Sequence, residues 1–126
     1  MNPIPPTTEP VIRIVAMPAD TNPNGDIFGG WLMSLMDLGA GTVAMRRAKG
    51  RTVTIAMDGM QFHAPVAVGD ELSVYGTLLA TGRTSLTIAV EAWRRERDED
   101  HSVKVTEANF TFVAIDDNGR PRPVDV

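Results

Sequence analysis

Asp37 is the only charged residue in the stretch Gly29 to Met45, GGWLMSLMDLGAGTVAM. Trp31, Leu32, Met33, Leu35, Met36, Leu38, Val43 and Met45 go most of the way round a helical wheel, which predicts a helix buried on nearly all sides. An enclosed carboxylate is costly unless it is paired, so Asp37 is either a satisfied structural group or a working acid or base. Ser34, one turn earlier, could hydrogen-bond it and fix its rotamer. Gly29-Gly30 stands at the expected helix start, where N–H groups are free and the dipole is positive. With no Cβ in the way, a carbonyl could approach and be polarised there. The same glycines also suit a tight loop-to-helix junction, and both roles stay open. From Gly30 to Asp37 is about 10 Å along a helix axis, too far for both to act on one carbonyl within a single chain.

Other residues of the right chemistry surround this stretch. Asp26 is a rival carboxylate, or a turn former and N-terminal charge. Asn22 and Asn24 could line a site with amides, although Asn in such loops commonly serves the turn. Gly82-Arg83-Thr84-Ser85 sets a turn, a guanidinium and two hydroxyls side by side, a combination suited to phosphate as well as to a plain hairpin. Arg120 and Arg122 form a second basic group that either meets an anion or lies in an exposed tail. His63 and His101 have no partner at metal-ligand spacing, so no metal is expected.

The elements that must position these groups follow from composition and period. The chain has 126 residues, 22% charged and 43% hydrophobic, which fits one globular domain with its own core. A net charge of -4 argues against nucleic acid as a partner. The absence of cysteine removes disulfides, thiol nucleophiles and thiolate metal sites. No signal peptide or membrane-inserting segment is visible, which makes cytoplasmic residence the default. Residues 1–10 are expected to form a flexible arm ahead of a single domain over 11–126. Val11–Met17 reads as a short strand, and 18–28 as a shaped loop. The helix fades at Arg46–Gly50, with Gly50 as its C-cap. Four long extended segments follow: Thr52–Phe62, with Val53, Ile55 and Met57 on one face, then Glu71–Thr81, Thr84–Arg95 and Val103–Ile115. A sheet wrapped about one apolar helix leaves an apolar side uncovered, and a second copy of the chain is the economical cover.

The segments MPADTNPNGDIFGGWLMSLMD, GMQFHAPVAVGD and TGRTSLTI resemble the hot-dog-fold acyl-CoA thioesterases of the YciA type. The resemblance spans Ile14 to Pro123. It implies an α+β fold, with a curved five-stranded antiparallel sheet around one central helix. It further implies dimers with active sites at the subunit interface, commonly assembled as trimers of dimers. The implied reaction is hydrolysis of acyl-CoA to a carboxylic acid and CoA, with no metal or redox cofactor and coenzyme A as part of the substrate. By the same resemblance Asp37 is the catalytic carboxylate, as general base or nucleophile. Gly30, with Gly29, polarises the thioester carbonyl, and Asn24 positions water or that carbonyl. Gly82, Arg83, Thr84 and Ser85 lie by the CoA channel, with Arg120 as a further candidate for its phosphates. Trp31, Met33, Met36, Met57, Met60 and Phe62 would set the acyl tunnel.

Two other classes stay open on the residues. A hot-dog hydratase or dehydratase usually works with a His-Asp pair, and no His lies in or just after the loop-helix segment. A non-catalytic acyl-CoA-binding sensor would need no carboxylate in the helix.

Overall fold

The computed structural model describes residues 3–125. Met1 and Asn2 of the expected arm, and Val126 at the end of the expected domain, lie outside the described residues. The chain runs through β1 (Ile12–Val15), a single 3-10 turn (Pro18–Asp20), α1 (Gly29–Ala48), β2 (Thr52–Phe62), β3 (Glu71–Thr81), β4 (Ser85–Arg95) and β5 (Val103–Ala114). All strand neighbours are antiparallel, in the order β1-β3-β4-β5-β2. The hairpins β3–β4 and β4–β5 form the centre of the sheet. β2 reaches its place beside β5 only after the helix has been laid down, and it stands at an edge. No helix among the described residues is long and apolar enough to cross a membrane.

The strand and helix periods hold because one face of the sheet buries against α1. Leu86, Ile88, Val90 and Ala92 alternate inward along β4, and Thr106, Ala108, Phe110, Phe112 and Ala114 do so along β5. Leu32, Met36, Ala40, Ala44 and Ala48 form the helix stripe that meets them. Gly39 and Gly41 each cost the helix about 1 kcal/mol against Ala, while burying one Leu or Met side chain contributes about 1.5–3 kcal/mol. Packing therefore holds this helix together. Gly39 has a further use, since a Cβ there would come within 2.8 Å of Val11 Cγ2 just ahead of β1.

The helix is not buried on nearly all sides. Its outward face carries Leu38, 62% exposed, with Met45, Ser34 and Thr42. A wheel apolar all round therefore marks two contact surfaces, of which one chain covers one. β2 departs from simple alternation as well. Thr54 lies opposite Phe112 and Met57 opposite Phe110, with register shifts between Thr54 and Ala56 and between Asp58 and Gln61. The bulge at Ile55 returns Met57 to the face that Thr54 occupies, so Val53, Ile55 and Met57 do not share one. At the helix end it is Lys49, not Gly50, that takes the left-handed conformation (φ 58°), and its N–H donates to the Met45 carbonyl.

Candidate active site

Asp37 sits midway along α1, half-buried, on the side turned toward β2. One of its oxygens, Oδ1, accepts a hydrogen bond from Thr54 Oγ1 at 2.5 Å. No ion pair among the described residues includes it. The fully enclosed carboxylate of the fold is Asp70 instead, 6% exposed, whose Oδ2 accepts from the Ala67 N–H at 2.9 Å and closes the turn before β3. Ser34 does not hold Asp37. Its hydroxyl donates back to the Trp31 carbonyl at 2.7 Å, the local bond that a helical serine reaches without leaving its own turn. Thr54 had no signal in the sequence, because only the helix–sheet contact makes it a neighbour of Asp37.

The helix begins without a side-chain cap. Phe28 is extended (φ -98°, ψ 157°) and its carbonyl accepts from the Trp31 N–H at 3.1 Å. The amides of Gly29 and Gly30 have no acceptor among the described residues. Two aromatic rings stand against them: Phe28 beside Gly30 and Phe62 across Gly29. Phe62 is 50% exposed and shares with Ile27, Leu32, His63, Pro65 and Val66 an open cleft of about 470 Å³ at the helix start. The donors and an apolar surface are thus adjacent, while the helix spacing holds Asp37 away from them.

The loop ahead of the helix is built by its own side chains. Asn22 Oδ1 accepts from the N–H groups of Asn24 (3.0 Å) and Asp26 (3.1 Å), and its backbone N–H donates to the Asp26 carbonyl (2.8 Å). Asn22 is therefore a turn former with its amide oxygen already engaged. Asn24 and Asp26 are exposed at the tip and keep their side chains free of partners among the described residues. His63, at the cleft edge, has its Nε2 3.6 Å from Glu107 Oε2.

The basic groups lie at the other end of α1. Gly82, Arg83, Thr84 and Ser85 close the β3–β4 hairpin, with Gly82 N–H donating to the Ser85 carbonyl at 2.9 Å. The C-terminal segment docks on this turn through Val124 N–H and the Arg83 carbonyl at 2.8 Å, leaving the Arg83 side chain exposed. Arg120 is exposed too, beyond a loop in which Asp116 binds its backbone. Arg122 is not in an exposed tail: its guanidinium donates to the carbonyls of Ala48 (2.9 Å), Pro123 (3.0 Å) and Ile115 (3.2 Å), satisfying the helix C-terminus. In a single chain Arg83 and the Gly29-Gly30 pair are separated by the length of α1, and the structure does not bring them together.

A long helix packed on a five-stranded antiparallel sheet, with uncapped glycine amides at its start and a carboxylate midway along it, defines a hot-dog-fold protein with groups suited to acyl transfer. The chain belongs to the Thioesterase superfamily, whose pattern matches residues 24–101. It is 56% identical over 119 residues to an uncharacterised acyl-CoA thioester hydrolase of Zymomonas mobilis, covering 94% of this chain and 80% of that one. It is 48% identical over 119 residues to the acyl-CoA thioester hydrolase YciA of Escherichia coli, covering 92% and 90%. In three dimensions it matches the crystal structure of a hexameric broad-specificity acyl-coenzyme A thioesterase with a TM-score of 0.90 at 45% identity, covering 97% of this chain and 84% of the other.

Proposed function

We propose that this chain is a cytoplasmic acyl-CoA thioester hydrolase, acting as a two-fold dimer within a trimer of dimers. The observation that carries the reading is Asp37: a carboxylate with no cationic partner among the described residues, beside an apolar surface that one chain leaves open. The hexameric relative and the exposed edge of β2 support the assembly. A two-fold axis through Met57, the midpoint of β2, would set Thr52 across from the partner's Phe62. That places Asp37 of one subunit near the partner's Gly29-Gly30 amides, which its own helix holds about 10 Å away. Arg83, at the far end of α1, then approaches the partner's helix start, where it and Arg120 suit the phosphates of CoA.

In this arrangement the amide of Gly30, with that of Gly29, receives the thioester carbonyl oxygen and the negative charge that develops on it. Asp37 takes a proton from water, or attacks the carbonyl carbon itself. In the first route the water oxygen bonds the carbonyl carbon, the C–S bond breaks, and CoA leaves as the thiol with the proton that Asp37 took. In the second the acyl group passes to Asp37 as a mixed anhydride as CoA leaves as thiolate. Water then cleaves the anhydride, giving the acid, freeing Asp37 and supplying the thiol's proton. Base and donors both belong to the protein, so the reaction draws on no cofactor. Phe62, Met57 and Met60 would line the way for the acyl chain, and Asn24, exposed at the loop tip, would orient water.

A survey from acetyl- to palmitoyl-CoA with a thiol reagent tests this directly. Release of free CoA, reduced about 10²-fold or more in Asp37→Asn with the fold retained, is the expected result. Binding without release would make the protein a sensor, and normal turnover by Asp37→Asn would remove that residue from the mechanism.

A further inference from the structure

We infer that Arg94 selects acyl-CoA substrates whose acyl group ends in a carboxylate, receiving that second acid in the cavity beside the Gly29 cleft. The inference rests on the thioesterase reading and deepens it by naming a substrate class. Arg94 is an unusual residue for its place. It follows Ala92 on the inward side of β4 and lies opposite Leu72, which is fully buried. Its Nε is closed off from solvent without a hydrogen-bond partner, the only such side-chain nitrogen or oxygen among the described residues. No ion pair among the described residues includes it either. A guanidinium stays charged at any working pH, and an enclosed donor without an acceptor is costly. Such a group calls for a partner from outside the fold.

The cavity has room for that partner. Arg94 lines an open space of about 570 Å³ with Gly25, Asp26, Pro65, Val66 and Asp70. Pro65 and Val66 also wall the cleft that holds Gly29, Leu32 and Phe62, so the two spaces adjoin. An acyl chain whose carbonyl sits on the Gly29-Gly30 amides has a route past Val66 toward Arg94. The cleft is mostly apolar and suits methylenes, while the far side presents a forked cation that matches a carboxylate in charge and shape. The protein's own carboxylates do not take that place. Asp70 accepts from the Ala67 N–H at 2.9 Å. Asp26 and Glu96 are exposed, where water and salt screen them.

Thioesters matched in length test this in the assembled enzyme: succinyl-, glutaryl- and adipyl-CoA against butyryl-, valeryl- and hexanoyl-CoA. In at least one pair the dicarboxylate should reach a kcat/KM no lower than that of its partner, because Arg94 offsets the cost of enclosing a charge. Arg94→Met keeps an unbranched stem and removes the fork. In that pair it should lower the ratio of dicarboxylate to monocarboxylate kcat/KM about tenfold or more, the loss of a charge-assisted hydrogen bond. A dicarboxylate slower than its partner in every pair would overturn the assignment without recourse to a variant. A ratio that Arg94→Met leaves unmoved would overturn it as well. Release of CoA from neither series would mean that the thioesterase reading had failed first, whereas release from the monocarboxylates alone sinks only the substrate class.

Discussion

The ring of Phe62 lies across Gly29, so close that a Cβ on that glycine would sit 3.0 Å from the ring's Cζ. The end of β2 and the start of α1 are thereby joined at the two amides that have no acceptor among the described residues. Phe62 is half exposed and can yield, so Gly29→Ala should fold with little change in melting temperature. Moving the ring by a few tenths of an ångström disturbs the approach to the donors, and kcat/KM for acyl-CoA should fall about tenfold. Unaltered kcat/KM would separate the ring from the site.

Ile55, the bulge residue, is 58% exposed on the edge strand, and Leu38 is 62% exposed on the outward face of the helix. If a second chain covers this surface, Ile55→Lys buries like charges across a two-fold axis. Sedimentation should then show smaller species, and CoA release should be lost together with assembly. An intact oligomer with full activity would place the interface elsewhere.

Arg122 ties the C-terminal segment to the helix end through three carbonyls. Hydrogen bonds from a charged donor contribute more than neutral ones, so Arg122→Ala should cost about 2 kcal/mol in urea unfolding. Arg122→Lys should not restore it, since an ammonium lacks the planar fork.

Glu107 carries a prediction in pH. Its hydrogen bond to Lys104, at 2.6 Å, holds the carboxyl below its ordinary value, with Lys104 and His63 charges adding to the effect. A lowered folded-state pKa contributes stability that is present above the unfolded value of about 4.3 and is lost as pH falls through the folded value. Glu107 is half exposed, so Glu107→Gln should cost no more than about 1 kcal/mol at neutral pH. The difference from the unsubstituted protein should shrink as pH falls below about 4. A constant difference across that range would assign the loss to something other than the charge.

Much of this architecture could be read from local pattern. The periods of α1 and the long strands placed five of the elements within a residue or two, since alternation and helical spacing are properties of neighbouring residues. Gly29-Gly30 and Asp37 were legible because their chemistry is unusual for where they stand. The bulge at Ile55 was not, because a strand's register is set by its partner β5, some 50 residues later. Nor was the fate of Arg122, which looks the same in sequence whether it meets solvent or the carbonyl of Ala48.

Residue order alone determined that a carboxylate would ride on an apolar helix behind two bare glycine amides. Only the tertiary structure decided that Thr54 would hold it, that Ser34 would turn away, and that Asp70 would be the enclosed acid. Hydrogen bonds between distant elements depend on which faces meet, and the sheet's register decides that once the helix has packed against it.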